Sequence, residues 1–189
     1  MKNFVYLFIF NILIIISCST ESQQVAHSYQ GKAFRYMWGS PLDMDKFYFN
    51  LTIEKQGDSL RKYQYFRSDS SGNPLKLMMD IEISNDSILL MKTGDYQSNV
   101  QRILEGKKIF YMGTKEIEIS KYRRKEIAAG KNDVIFLIKD YGVVNMLSYD
   151  VKTKVLYVID TDKSIENIFS KVNHFLEKDS TGFYYLPQK

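Results

Sequence analysis

The stretch Lys46-Phe47-Tyr48-Phe49-Asn50-Leu51-Thr52-Ile53-Glu54 alternates two kinds of side chain. Phe47, Phe49, Leu51 and Ile53 hold one parity; Tyr48, Asn50, Thr52 and Glu54 hold the other. Successive side chains of a strand point to opposite faces, so this period of two describes a strand with one buried and one wetted face. Leu75 to Ile83 repeats the pattern, with Leu75, Leu77, Met79, Ile81 and Ile83 as the inward set. Shorter runs of the same kind read as strands at residues 60–67, 87–92, 107–112, 116–119, 133–139, 143–149 and 154–159. The stretch 121–129 is ambiguous between strand and helix.

Turn signals separate these runs: Gln56-Gly57-Asp58, Ser71-Gly72-Asn73-Pro74, Asn85-Asp86, Glu105-Gly106, Gly113, Gly130 and Asp140-Tyr141-Gly142. Aromatic residues make up 14% of the chain and only three prolines interrupt it, a composition that suits pleated, half-buried surfaces. Many short strands joined by turns specify an antiparallel barrel or sandwich, and the pattern does not choose between them. Near the end, residues 162–177 read as a helix. Asp162 or Ser164 can cap it, and Ile165, Ile168, Phe169, Val172, Phe175 and Leu176 fall on one face. Phe183-Tyr184-Tyr185-Leu186 reads as a last edge strand.

Strands, one amphipathic helix and a short final strand resemble the general layout of lipocalin-like barrels. The Gly-x-Trp signature of that family is missing, since the only tryptophan is Trp38 in Tyr36-Met37-Trp38-Gly39. The expectation is therefore a mainly β domain over 31–189, barrel or sandwich, with one C-terminal amphipathic helix.

The N-terminus has a different character. Met1-Lys2-Asn3 is followed by an almost wholly apolar run from Phe4 to Ile16. Its length of about 13 residues suits a secretion signal and falls short of the ~20 needed to span a bilayer. The run ends Ile15-Ile16-Ser17-Cys18, which resembles the lipobox of bacterial lipoproteins. The resemblance implies that 1–17 is a signal peptide and that Cys18 is the thiol nucleophile that accepts diacylglycerol. It also implies acylation of the new amine and a place in a Gram-negative cell envelope, at the outer membrane. Two or three acyl chains anchor stably where one holds only marginally. Residues 18–30 then read as a flexible tether, and the mature domain, without another cysteine, has no disulfide or thiolate chemistry.

The remaining chemistry is sparse. His27 falls in the expected tether, and His174 lies half a turn out of phase with Ile165, facing solvent. Neither is placed for a triad or a zinc site, so no catalytic residue, metal or cofactor is expected. Asp43/Asp45 and Asp160/Asp162 are too poor in ligands for calcium. The run Lys121-Tyr122-Arg123-Arg124-Lys125 reads as the solvated edge of a sheet. A net charge of +4 is too mild to imply nucleic acid.

Asp58-Ser59-Leu60, Asp86-Ser87-Ile88 and Asp179-Ser180-Thr181 resemble the O-glycosylation acceptor of certain Gram-negative envelope proteins, with Ser59, Ser87 and Ser180 as acceptors. Asp-Ser is equally ordinary turn chemistry.

The functional expectation is a membrane-anchored, non-enzymatic binding module for an apolar or glycan ligand. A protein-interaction lipoprotein (an inhibitor, an immunity-type factor or an accessory subunit) is the alternative. Intact-mass measurement of the protein from its native host tests both modifications. Loss of residues 1–17 with a lipid-sized gain is expected, and Cys18→Ala removes that gain; a further sugar increment distinguishes glycosylated from bare Asp-Ser turns.

Overall fold

The computed structural model describes residues 25–37, 40–57, 59–94, 96–125, 133–149 and 152–184. Trp38, Asp58, Gly130 and the segment 1–24, which holds Cys18, lie outside the described residues. The strands are β1 (Val25–Met37), β2 (Ser40–Gln56), β3 (Leu60–Ser68), β4 (Pro74–Ser84) and β5 (Ile88–Thr93). They continue with β6 (Tyr96–Met112), β7 (Lys115–Arg124), β8 (Asp133–Ile138), β9 (Gly142–Ser148) and β10 (Thr153–Ile159). One helix, α1 (Lys163–Glu177), follows.

Each strand pairs antiparallel with its neighbour in sequence, and β1 pairs with β10 from Gly31↔Ile159 to Met37↔Thr153. The sheet therefore closes into a barrel rather than a sandwich. Connections do what their residues dictate. Asn85 and Asp86 both take positive φ, of 50° and 55°, as a two-residue hairpin matched to strand twist requires. Gly142 has φ +88°, and a Cβ there would collide with the Tyr65 hydroxyl.

A barrel of eight strands is just filled by ordinary side chains, so ten strands enclose more space. Large aromatics fill it. Tyr65 of β3 and Tyr157 of β10, with β2 and β1 between them around the wall, meet across the interior at 5.6 Å, with Phe49 of β2 against both. The Tyr63 hydroxyl donates to the Lys139 carbonyl (2.7 Å), and the Tyr65 hydroxyl accepts from the Val143 amide (2.6 Å). From β7, Tyr122 donates to the Asp86 carbonyl (3.0 Å). Burial pushes Tyr63, Tyr65 and Tyr157 far above the usual phenol range and Tyr122 up to about 12. They stay neutral and act as packing with a polar handle.

A second core lies on the outer face, under α1. Asp162 caps the helix by accepting from the Ser164 amide (2.7 Å), and Ile165, Ile168, Phe169, Val172 and Leu176 are buried. Phe110 of β6 meets Phe175 at 5.0 Å. Val134 to Ile138 of β8 are all buried, because this strand has a core on each side.

Several expectations change. Val25 to Gln30, expected in a tether, belong to β1 and pair with β2 from Val25↔Lys55 onward. That segment carries no apolar period because Ala26, His27 and Ser28 are exposed, and it is held by backbone pairing and by Tyr29 against Tyr141. His27 is thus on a strand, stacked on Tyr29. Glu105-Gly106 is a bulge within β6 rather than a turn. Leu75 is 64% exposed: the register shifts twice, opposite Tyr65/Phe66 and Arg67/Ser68, and Leu75 is the unpaired extra residue of the second shift.

The basic run 121–125 is no edge, because a closed barrel has none. Lys121 is buried and pairs with Glu105 (3.0 Å), which also takes Arg123 (2.5 Å), while Tyr122 faces the interior. The ambiguous stretch is strand as far as Arg124.

Of the expected edge strand, Tyr185 and Leu186 lie outside the described residues, and Phe183 and Tyr184 form bends. The Asp179 carboxylate gathers them: it takes the Lys108 ammonium, the Thr181 hydroxyl (2.8 Å) and the amides of Phe183 (2.8 Å) and Tyr184 (3.3 Å). Phe183 and Tyr184 then pack on Phe136. Burial alone would raise the Asp179 carboxyl, but Lys108 and these donors hold it well below the usual carboxylate range. A depressed folded-state pKa stabilises above the unfolded value of ~3.9, and that contribution is lost as pH falls through the folded one. Asp179→Ala is accordingly expected to cost about 2–3 kcal/mol at pH 7 in urea unfolding. The difference from wild type should shrink below about pH 4; a pH-independent difference would remove the electrostatic account.

Candidate binding groove

On β1, the outward parity carries Lys32, Phe34 and Tyr36, and register places Leu156 of β10 beside Phe34 and Val158 beside Lys32. These side chains are half-buried. On α1, Glu166, Ser170, Asn173, His174 and Glu177 recur every three or four residues, which puts them on one stripe of the helix. The two rows face each other across a groove of about 510 Å³ open to solvent. The helix rises ~1.5 Å per residue, so the wall from Glu166 to Glu177 runs about 16 Å.

The floor is apolar and aromatic, whereas the wall is polar. Ion pairs stand at the two ends. Lys32 and Asp160 meet at 2.5 Å, and Lys154 pairs with Glu177. The hydrogen bond to Asp160 raises the Lys32 ammonium above its usual value. Between them lie a carboxylate (Glu166), a hydroxyl (Ser170) and an imidazole (His174), all exposed. Asn173 is held from below, its Oδ1 accepting from Asn145 (3.2 Å), which also donates to the Tyr184 hydroxyl (3.0 Å). An apolar floor with a few convergent polar groups is the usual anatomy of a ligand site.

Among the described residues, Phe49, Tyr63, Tyr65 and Tyr157 fill the barrel interior. Where β1 finishes, a depression of about 160 Å³ is lined by Phe47, Leu77, Met78, Arg35, Arg67 and Lys76. Arg67 faces Lys76 in register, and Asp45 faces Arg35. A Cβ on Gly94 would strike the Leu77 carbonyl, so glycine lets this turn close on β4. Met37 and Leu75 are exposed at the same end.

Among residues singled out from sequence, Ser59, Ser87 and Ser180 are exposed, the first two in turns and the third after α1. They are not brought together with the groove. His174 is exposed as expected and borders it. Asp160 and Asp162 serve Lys32 and the helix cap. Among the described residues, no three His, Cys, Asp or Glu side chains are placed to hold a metal ion, and no helix is long and apolar enough to cross a membrane.

Sequence reasoning missed the groove because half of it belongs to β1, whose polar start hid the strand. The aromatic pair Phe34/Tyr36 at a spacing of two was the available signal. No family model, curated protein or solved structure matches the chain.

Proposed function

We propose that this protein is a lipid-anchored, non-enzymatic binding module of the cell envelope that holds an elongated glycan in the groove between α1 and the β1–β10 seam. The observation that carries this reading is the groove itself: an aromatic floor from Phe34 and Tyr36 facing a polar helical wall. Aromatic faces pack against the C–H faces of sugars, and carboxylate, hydroxyl and imidazole groups suit ring hydroxyls. A length of about 16 Å along the helix accommodates a short oligosaccharide rather than a single compact molecule. An apolar ligand inside the barrel is disfavoured, because Phe49, Tyr63, Tyr65 and Tyr157 occupy that space.

The Ile15-Ile16-Ser17-Cys18 motif supports the anchor. β1 begins a few residues beyond Cys18, so the tether would be shorter than a run to Gln30.

A second reading, a protein-interaction lipoprotein, has its own observation. Leu75 (64% exposed) and Met37 (50%) stand at the end where β1 finishes, as do Arg35, Arg67 and Lys76, and exposed apolar groups with arginine typify contact surfaces.

Full-length protein on an array of envelope and host oligosaccharides tests the first reading. Binding to at least one glycan series is expected, weakened about tenfold or more by Phe34→Ala or Tyr36→Ala, by analogy with aromatics that stack on nucleobases, which contribute on the order of 1–3 kcal/mol each. Arg67→Glu should leave it unchanged. No glycan binding, with crosslinks to an envelope protein abolished by Arg67→Glu, would replace the first reading by the second.

A further inference from the structure

Arg102 of β6 is 1% exposed and heads the fully buried large side chains. Its Nη2 donates to Asp133 at the start of β8, but Nε and Nη1 meet no acceptor. A guanidinium keeps its charge in proteins and has five N–H groups to satisfy, so buried donors left empty are costly. Register sets Arg124 of β7 directly opposite Arg102, on the same face of the sheet. Asp133 pairs with Arg102, and Arg124 stands beside Arg102 without a carboxylate of its own among the described residues. Burial works against the charged form of Arg102, Asp133 supports it, and Arg124 opposes it again. This corner of the barrel carries excess positive charge where solvent screening is weak.

Arg124 opens onto a depression of about 200 Å³ that it shares with Lys125, Asn99, Gln101 and Val100. Among the described residues no carboxylate lines it, and neither Arg124 nor Lys125 has an ion-pair partner. A tetrahedral oxyanion with a few waters, at ~30 Å³ each, fits that space.

We propose that this depression is an oxyanion site, taking a phosphate, sulfate or carboxylate group. Arg124 and Lys125 meet the charge, the amides of Asn99 and Gln101 donate hydrogen bonds, and Arg102 stands beside Arg124 with Nε and Nη1 unpaired. The site is built from β6 and β7, apart from the groove beside α1, and does not depend on a glycan there.

The test uses the full chain and inorganic phosphate, read by calorimetric titration and by thermal unfolding against sodium chloride of equal ionic strength. Vesicles of phosphatidylglycerol and of phosphatidylcholine form a second arm, because a lipid headgroup presents the same chemistry. Arg102 substitutions can fail to fold, so Arg124→Gln and the exposed Asn99→Ala are the variants. Phosphate binding that raises Tm beyond chloride, and that Arg124→Gln weakens about tenfold or more, supports a site for free oxyanions. Sedimentation with phosphatidylglycerol vesicles only, lost in Arg124→Gln, supports a headgroup site. If neither probe binds, or if Arg124→Gln binds both as well as wild type, the proposal is overturned.

Discussion

Closing ten strands on themselves creates a space that must be filled, and the rest of the molecule follows from how that is done. Apolar side chains of ordinary size would leave voids, and each void forfeits dispersion contacts on its lining. The chain answers with Phe49, Tyr63, Tyr65, Tyr122 and Tyr157, which reach across the interior. Tyrosine carries a hydroxyl that cannot be left unpaired in such a place. Tyr63, Tyr65 and Tyr122 therefore terminate on backbone groups of the turns at one end, at Lys139, Val143 and Asp86. The same contacts fix where those turns sit. Filling the interior and closing one end of the barrel are thus a single device.

How much of this could be read beforehand depended on whether a strand had one core or two. β2 and β4 show one buried face, and their alternation is plain in Phe47 to Ile53 and Met79 to Ile83. β8 is buried on both faces, so Val134-Ile135-Phe136-Leu137-Ile138 reads as a continuous apolar run whose partners stay hidden. β1 failed the other way: its first residues are exposed on both faces, and only pairing with β2 makes them a strand. Bulges are equally silent. Extra residues at Met78 and at Leu75 itself break the alternation of β4, and Gly106 resembles a turn while sitting inside β6, where Phe183 packs near it.

The groove was legible only in halves. The helical stripe from Glu166 to Glu177 follows from 3.6-residue spacing, and Phe34 and Tyr36 follow from alternation once β1 is known. That the two halves face each other depends on the β1–β10 pairing, which joins residues far apart in sequence. Charge was misjudged for a related reason. A row such as Lys121 to Lys125 looks solvated, yet on a strand between two cores its members divide among an outer layer under Phe183, an ion pair with Glu105 and the barrel interior.

The seam between β1 and β10 has a consequence for how the barrel can form. Gly31 pairs with Ile159, so the first described strand waits for the last. Contacts of such sequence separation carry the full entropy of loop closure before they return any stabilisation, and they slow folding. Until β10 arrives, β1 and β9 each expose a free row of backbone donors and acceptors, the kind of edge that pairs with other chains. The finished barrel has no such edge, but its nascent form does. The hazard of self-association therefore belongs to the period before closure, and ends with it.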